Sequence, residues 1–234
     1  TNFNISVAAT DRFMEALSKD QGYELIDPRT KQVTGSLPAR QVFERIIQAA
    51  WQTGDPGMVF IDRINASRAN PIPDIEQIEA TNPCGAQPLG SNDACNLGSI
   101  NLVKFAHPSD FAYPNGHGDG DRVDWAALER VVRLAVHFLD DVIEVNPYPL
   151  SAIDEEVKRN RRIGLGVMGW ADLLLELGIP YGSEEALALA DRLMGFIERV
   201  GHEESARLAM ERQPFSRWSQ SIYRHEKPLR NSTV

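Results

Sequence analysis

Thr81-Asn82-Pro83-Cys84-Gly85-Ala86-Gln87-Pro88-Leu89 is followed four residues later by Ala94-Cys95-Asn96-Leu97-Gly98-Ser99-Ile100-Asn101-Leu102. Pro83 and Gly85 bracket Cys84, so the cysteine is expected on a constrained turn, held in one place and open to close approach. Residues 79–87 carry no helical period and read as extended backbone or loop. Extended backbone sends alternate side chains to one face, which would group Asn82, Cys84 and Ala86. Such a face suits a polar substrate gripped around a sulfur. A buried structural role is the commoner fate of an isolated cysteine, and the residues alone leave both readings open. Leu97 to Val103 reads as a strand.

Upstream, Asn2 to Val7 alternates and reads as a strand, and Thr10 caps a helix carrying Phe13, Met14 and Leu17. Tyr23 to Ile26 and Lys31 to Thr34 form a hairpin around Asp27-Pro28-Arg29-Thr30. Pro38 starts a helix to about Gln52, ended by Gly54 and Pro56, with Val42, Phe43, Ile46, Ile47, Ala50 and Trp51 on one face. Met58 to Ile61 reads as a buried strand, followed by a loop through Pro73.

Downstream, residues 114–122 are rich in Gly and Asp and read as a solvent loop. Trp125 to Ile143 carries a clear amphipathic stripe, stopped by Pro147 and Pro149. Ser151 with Asp154 resembles a capping box. Arg162 to Val167 reads as a strand and Met168 to Leu177 as a helix. Ser183 caps a long helix with Leu189, Leu193, Ile197 and Val200 inward. Strands alternating with helices argue for an α/β class, and no linker divides residues 1–234, which read as a single domain.

Gly164-Leu165-Gly166-Val167-Met168-Gly169 spells a dinucleotide fingerprint. It lacks the apolar strand before it and the acid at the end of a second strand, so close strand–helix packing through glycine explains it better. His107, His117, His137, His202 and His225 show no metal-ligand spacing, and no metal site is expected.

Composition narrows the class. Hydrophobic residues are 42% and charged residues 24%, ordinary for a soluble globular chain. No apolar run is long enough to span a membrane. Neither a signal peptide nor an initiator Met opens the sequence, which reads as a fragment. A net charge of −9 opposes a long nucleic-acid track while leaving room for a single nucleotide. Two cysteines make no secreted disulfide framework and suit a reducing cytoplasm.

The two quoted runs resemble the active-site signature of ribonucleotide reductases, Asn-Pro-Cys-Gly-Glu-Gln-Pro followed by a Cys-Asn-Leu-Gly-Ser-Ile-Asn strand. Asn2 to Val7, Gly57 to Asp62, Arg68-Ala69-Asn70-Pro71, Arg162 to Gly169 and Pro228-Leu229-Arg230-Asn231-Ser232 are similar to the same family, in its order. The flanking Pro83 and Gly85 look most like the adenosylcobalamin-dependent class. The resemblance implies part of a ten-stranded α/β barrel, the radical cysteine on a loop threading its centre. It implies ribonucleotide reduction by thiyl-radical chemistry, with adenosylcobalamin as cofactor, a thiol reductant system, and a possible homodimer of the intact protein.

By the same resemblance, Cys84 would carry the thiyl radical that removes the 3′ hydrogen of the ribose. Asn82 would hold the sugar hydroxyls, and Cys95 would be half of the redox pair serving the departing 2′ hydroxyl. The backbone of Asn82, Pro83, Cys84, Gly85 and Ala86 would line the substrate pocket.

Two departures stand out. Ala86 replaces the family's Glu, the base for the 3′-OH proton, and Gln87 cannot substitute because an amide is no base at neutral pH. The partner of Cys95 lies in an earlier strand of the family, and its phosphate loop follows the position of Val234. The chain by itself is therefore expected to be inactive. Arg212-Gln213-Pro214 also lacks the family's usual Gly before that Pro. Alternatives are a catalytically dead fragment or decayed copy acting as a folded or assembly module, and a cysteine hydrolase. The last needs a His within reach of Cys84, and none is near in sequence.

Overall fold

In the computed structural model, which describes residues 3–107 and 122–234, the chain divides into two units, Thr1–Ser91 and Asn92–Val234. The expected solvent loop at 114–122 lies outside the described residues, apart from Arg122.

In the first unit, β1 (Ser6–Ala9) pairs in parallel with β4 (Gly57–Phe60). The connection between them holds α1 (Asp11–Ser18), an antiparallel hairpin of β2 (Gly22–Ile26) and β3 (Val33–Pro38), and α2 (Ala39–Thr53). Thr10 caps α1 as its composition demands, its Oγ1 accepting from the Phe13 N–H at 3.2 Å. Phe13, Ala16, Ala9 and Ala39 form the core, and Phe13 meets Tyr23 edge to face with centroids 5.2 Å apart. Gly54 ends α2 at φ 84°, a conformation that favours glycine. The apolar stripe expected on α2 is only partly covered. Val42 and Phe43 pack on the core, whereas Ile47 and Trp51 are 52% and 83% exposed. β4 is likewise not buried: among the described residues it pairs with β1 alone, and Phe60 stays exposed. Where a loop was expected after β4, a short helix α3 (Ile61–Asn65) forms first. Asn70 then pins the following loop, donating to Asn65 Oδ1 and to the Glu76 carbonyl. The unit closes with β5 (Ala80–Thr81) and β6 (Pro88–Leu89), paired antiparallel around the turn that holds Cys84.

In the second unit, β7 (Asn96–Asn101) runs parallel to β8 (Ile163–Met168), in register from Asn96↔Ile163 to Asn101↔Met168. β7 gives way at Leu102 to a 3-10 turn, Leu102–Phe105, one residue after its strand pairing ends. α4 (Trp125–Val145) and α5 (Ser151–Asn160) form the crossover, followed beyond β8 by α6 (Trp170–Leu177) and the 29-residue α7 (Glu184–Arg212). Leu128 and Val132 of α4 and Leu193, Ile197 and Val200 of α7 share one core with Ile100 and Leu173. Asp124 and Ser183 cap α4 and α7 through their side-chain oxygens. Ser151 caps nothing. Leu150 is the cap residue of α5 and makes no side-chain cap bond, so the expected capping box is absent.

The Gly164-to-Gly169 run behaves as packing. Its first two glycines lie inside β8, and Gly169 starts α6 at φ 72°. Mixed helix and strand content gives an α/β fold, and the described strands form four two-stranded sheets with no closed barrel among them.

Candidate active site

Cys84 sits on a tight turn, as its flanking Pro83 and Gly85 led us to expect, and the extended alternative for this stretch does not form. The Gly85 N–H donates to the Asn82 carbonyl at 2.9 Å, closing a four-residue turn. Pro83 suits its second position, and Gly85 leaves it at φ 75°. The turn still brings Asn82 and Cys84 together. The Asn82 Nδ2–H donates to Cys84 Sγ at 3.2 Å. The other end of the same amide is tied down, since Asn82 Oδ1 accepts from the Gln87 N–H at 3.0 Å and the Asn82 N–H donates to the Gln87 carbonyl at 3.1 Å. A β-turn thus does what alternation was expected to do, for two of the three side chains. Ala86 is exposed and Gln87 is buried.

Cys84 is an exposed free thiol. A Cβ built on Gly85 would meet nothing within 4 Å, so the approach beside the sulfur is open. A hollow of about 390 Å³ adjoins the turn, lined by Met58, Phe60, Arg63, Thr81, Gly85 and Pro88. One residue that sequence reasoning passed over supports the turn from outside: Asn4 Nδ2–H donates to the Pro83 carbonyl at 3.0 Å. Its only signal was its place in the family-like stretch at the start of the chain. Residues 1–91 contain no histidine, so no Cys–His pair can form within this unit.

Cys95 lies in the second unit as a half-buried thiol outside any disulfide, immediately before β7. Two residues earlier, Asp93 is clamped. Its Oδ2 accepts from Arg162 Nε at 2.6 Å and from Asn160 Nδ2 at 2.9 Å, while its Oδ1 accepts from the Ala94 N–H at 2.9 Å. The side chains of Asp93 and Arg162 are both 0% exposed. A second buried carboxylate, Asp140 of α4, accepts from Arg161 and Asn231 and pairs with Arg212 and Arg230. Burial lowers the Arg230 guanidinium below its ordinary value, with the neighbouring Arg161 charge adding to the effect. Sequence reading placed Arg162 at the start of a strand and found no apolar strand ahead of Gly164, and it missed these partners. Among the described residues, no group of three or more His, Cys, Asp or Glu could hold a metal ion, and no helix is long and apolar enough to cross a membrane.

The family described as ribonucleotide reductase, barrel domain, matches residues 1–231. The chain belongs to the ribonucleotide reductase barrel-domain family. The barrel domain is similar along its full length to a vitamin B12-dependent ribonucleoside-diphosphate reductase of Mycobacterium tuberculosis, at 47% identity, covering 32% of that protein. It is 44% identical to the Thermoplasma acidophilum protein of the same name, again over the whole chain and 29% of the relative. A vitamin B12-dependent ribonucleotide reductase of Agrobacterium fabrum is 33% identical over 92% of the chain and 16% of the relative. The barrel-domain chain thus spans about a third or less of the curated relatives it matches.

Proposed function

We propose that the protein containing this barrel-domain chain reduces ribonucleotides to deoxyribonucleotides by radical chemistry, with Cys84 as the radical-bearing residue. The observation that carries the reading is the Asn82–Cys84 turn: an exposed sulfur with one fixed N–H donor at 3.2 Å and open space beside it. The turn belongs to a chain whose relatives bear the reductase name. Both units belong, in this reading, to one ten-stranded catalytic barrel completed by the rest of the longer protein.

The chemistry divides among named residues. A Cys84 thiyl removes the 3′ hydrogen atom of the ribose, and Asn82 with the backbone of Pro83, Gly85 and Ala86 holds the sugar. The 2′ hydroxyl leaves as water. Cys95 and a second thiol of the longer protein supply two electrons and two protons, becoming a disulfide, and the 3′ hydrogen returns from Cys84. A dithiol reductant then restores the pair, as a reducing cytoplasm would allow. The intact protein would act as a homodimer.

Adenosylcobalamin fits the residues present. Such a cofactor requires a thiol that a large group can approach, and the exposed Cys84 beside the open Gly85 position meets that demand. When bound it supplies a carbon-centred radical able to take the hydrogen atom of the Cys84 thiol.

Ala86 favours a second reading, a folded module with little turnover. Loss of a general base costs about 10²- to 10⁴-fold in rate. The assay is deoxynucleotide formation by the full-length protein with adenosylcobalamin and a dithiol, on ribonucleoside diphosphates and triphosphates. Slow turnover that disappears in Cys84→Ser supports the radical reading. No turnover even in Ala86→Glu favours the module.

A further inference from the structure

From the buried contacts around Cys95 we infer that Asp93 is a positioning residue for that sulfur, with Arg162 and Asn160 as the fixed points it is held to. The inference rests on the redox role proposed for Cys95 and adds to it the device that holds the thiol in place.

Cys95 occupies a short bridge between two anchors. On one side is the Asp93 carboxylate, whose two oxygens accept three N–H donors, from Arg162, Asn160 and Ala94. On the other side the β7–β8 ladder begins, at Asn96↔Ile163. Both anchors lead to the same place, because Asn160, Arg162 and Ile163 are consecutive or nearly so at the junction of α5 and β8. The sulfur is therefore referenced twice to one junction, with Ala94 alone between Asp93 and Cys95. Full burial of an aspartate and an arginine is costly unless both are paired. A hydrophobic pair would hold the fold as well, so the ion pair points to a demand for direction that apolar packing does not meet.

The junction itself is tied down on several sides. Arg161 adopts the left-handed conformation at φ 52°, which sends its side chain to Asp140 while Arg162 goes to Asp93. Asn160 is gripped again from below, its Oδ1 accepting from Arg217 at 3.0 Å. A redox thiol must meet both its partner sulfur and the departing hydroxyl, and a displacement of about 1 Å at such a centre costs roughly 10²-fold in rate.

The test uses the full-length protein with adenosylcobalamin. Asp93→Asn is expected to lower kcat by about 10²-fold while leaving KM within about twofold, since ground-state binding does not involve Asp93. Iodoacetamide labelling of Cys95, followed by mass spectrometry, should change by about tenfold or more, with Cys84 labelling unchanged as the internal control. Asp93→Asn with Arg162→Gln offers a neutral hydrogen-bonded pair and should recover most of the loss. Unchanged kcat and Cys95 labelling in Asp93→Asn would overturn the inference, as would equal changes at both cysteines, which mark general loosening. Should neither variant fold, hydrogen exchange in the unaltered protein decides. Residues 93–96 should exchange about tenfold or more slowly than residues 82–87, and equal rates would overturn it. Cys95→Ser separates the two ideas: full turnover there sinks the redox role of Cys95, whereas loss of turnover there with normal Asp93→Asn sinks only the anchor.

Discussion

Arg161 Nη2 donates to Asp140 Oδ1 at 2.8 Å, with the two side chains 4% and 0% exposed. Asp140 also accepts from Asn231, so the α4 carboxylate ties the α5–β8 junction to the last residues of the chain. Removing it takes away the fully buried carboxylate partner of Arg161 and leaves the half-exposed Glu144 to balance the guanidinium. Asp140→Ala should destabilise the protein by about 3–5 kcal/mol, and Asp140→Asn by less, because the amide oxygen still accepts. Urea denaturation of both variants checks the order.

Gln213 adopts φ 71° and ψ 154°, a region that belongs almost entirely to glycine. The family's usual residue before Pro214 is glycine, and the backbone shows why. Gln213→Gly should raise stability by about 1 kcal/mol, the relief of strain exceeding the added entropy of the unfolded chain. A thermal melt of the variant that shifts downward would contradict this.

Glu203 bridges Arg133 and Arg199, and hydrogen bonds from these two hold its carboxyl below the ordinary value. A carboxylate depressed in the folded state contributes stability above its unfolded value and loses it as pH falls through the folded one. The site is partly exposed, so solvent screening keeps the contribution to about 0.2–1 kcal/mol. Glu203→Gln should therefore be less stable than the parent at neutral pH, and the difference should vanish in acid. A gap that persists or widens below the carboxylate range would be the wrong sign.

Asn82 has two duties that one substitution separates. Asn82→Asp keeps an oxygen for the Gln87 N–H but removes the N–H that points at Cys84 Sγ. The turn should survive with a stability change within about 0.5 kcal/mol. Turnover should fall by about 10²-fold through lost orientation at the sulfur. Asn82→Ala should lose both turn and turnover.

Local chemistry was the legible part of this chain. Thr10, Ser183 and Gly54 act on residues within a turn of themselves, and each did what its side chain or lack of one dictates. The stripe on α2 was legible as a pattern, but a pattern does not say how wide its cover is, and Trp51 stands outside it. Asn82 and Cys84 meet through the turn expected from Pro83 and Gly85, and the alternation also invoked for them is not what brings them together. Alternation predicts a shared face in a strand, whereas the Pro-Cys-Gly sequence makes a turn that reaches the same end. The Asp93–Arg162 pair joins residues 69 apart and leaves no local trace. A charged residue that will be buried looks in sequence like one that will be solvated, and only the fold distinguishes them.

The central claim is that Cys84 takes the 3′ hydrogen of a ribonucleotide. The most direct measurement uses the full-length protein carrying Ala86→Glu, with adenosylcobalamin, a dithiol and substrate deuterated at the 3′ carbon. Glu at position 86 meets no packed neighbour, since Ala86 is exposed. It should raise turnover by about 10²- to 10⁴-fold over the Ala86 protein. Deuterated substrate should turn over more slowly than unlabelled substrate, and Cys84→Ser in the same background should form no deoxynucleotide. Deoxynucleotide formed by the Cys84→Ser protein at the parent rate would contradict the account.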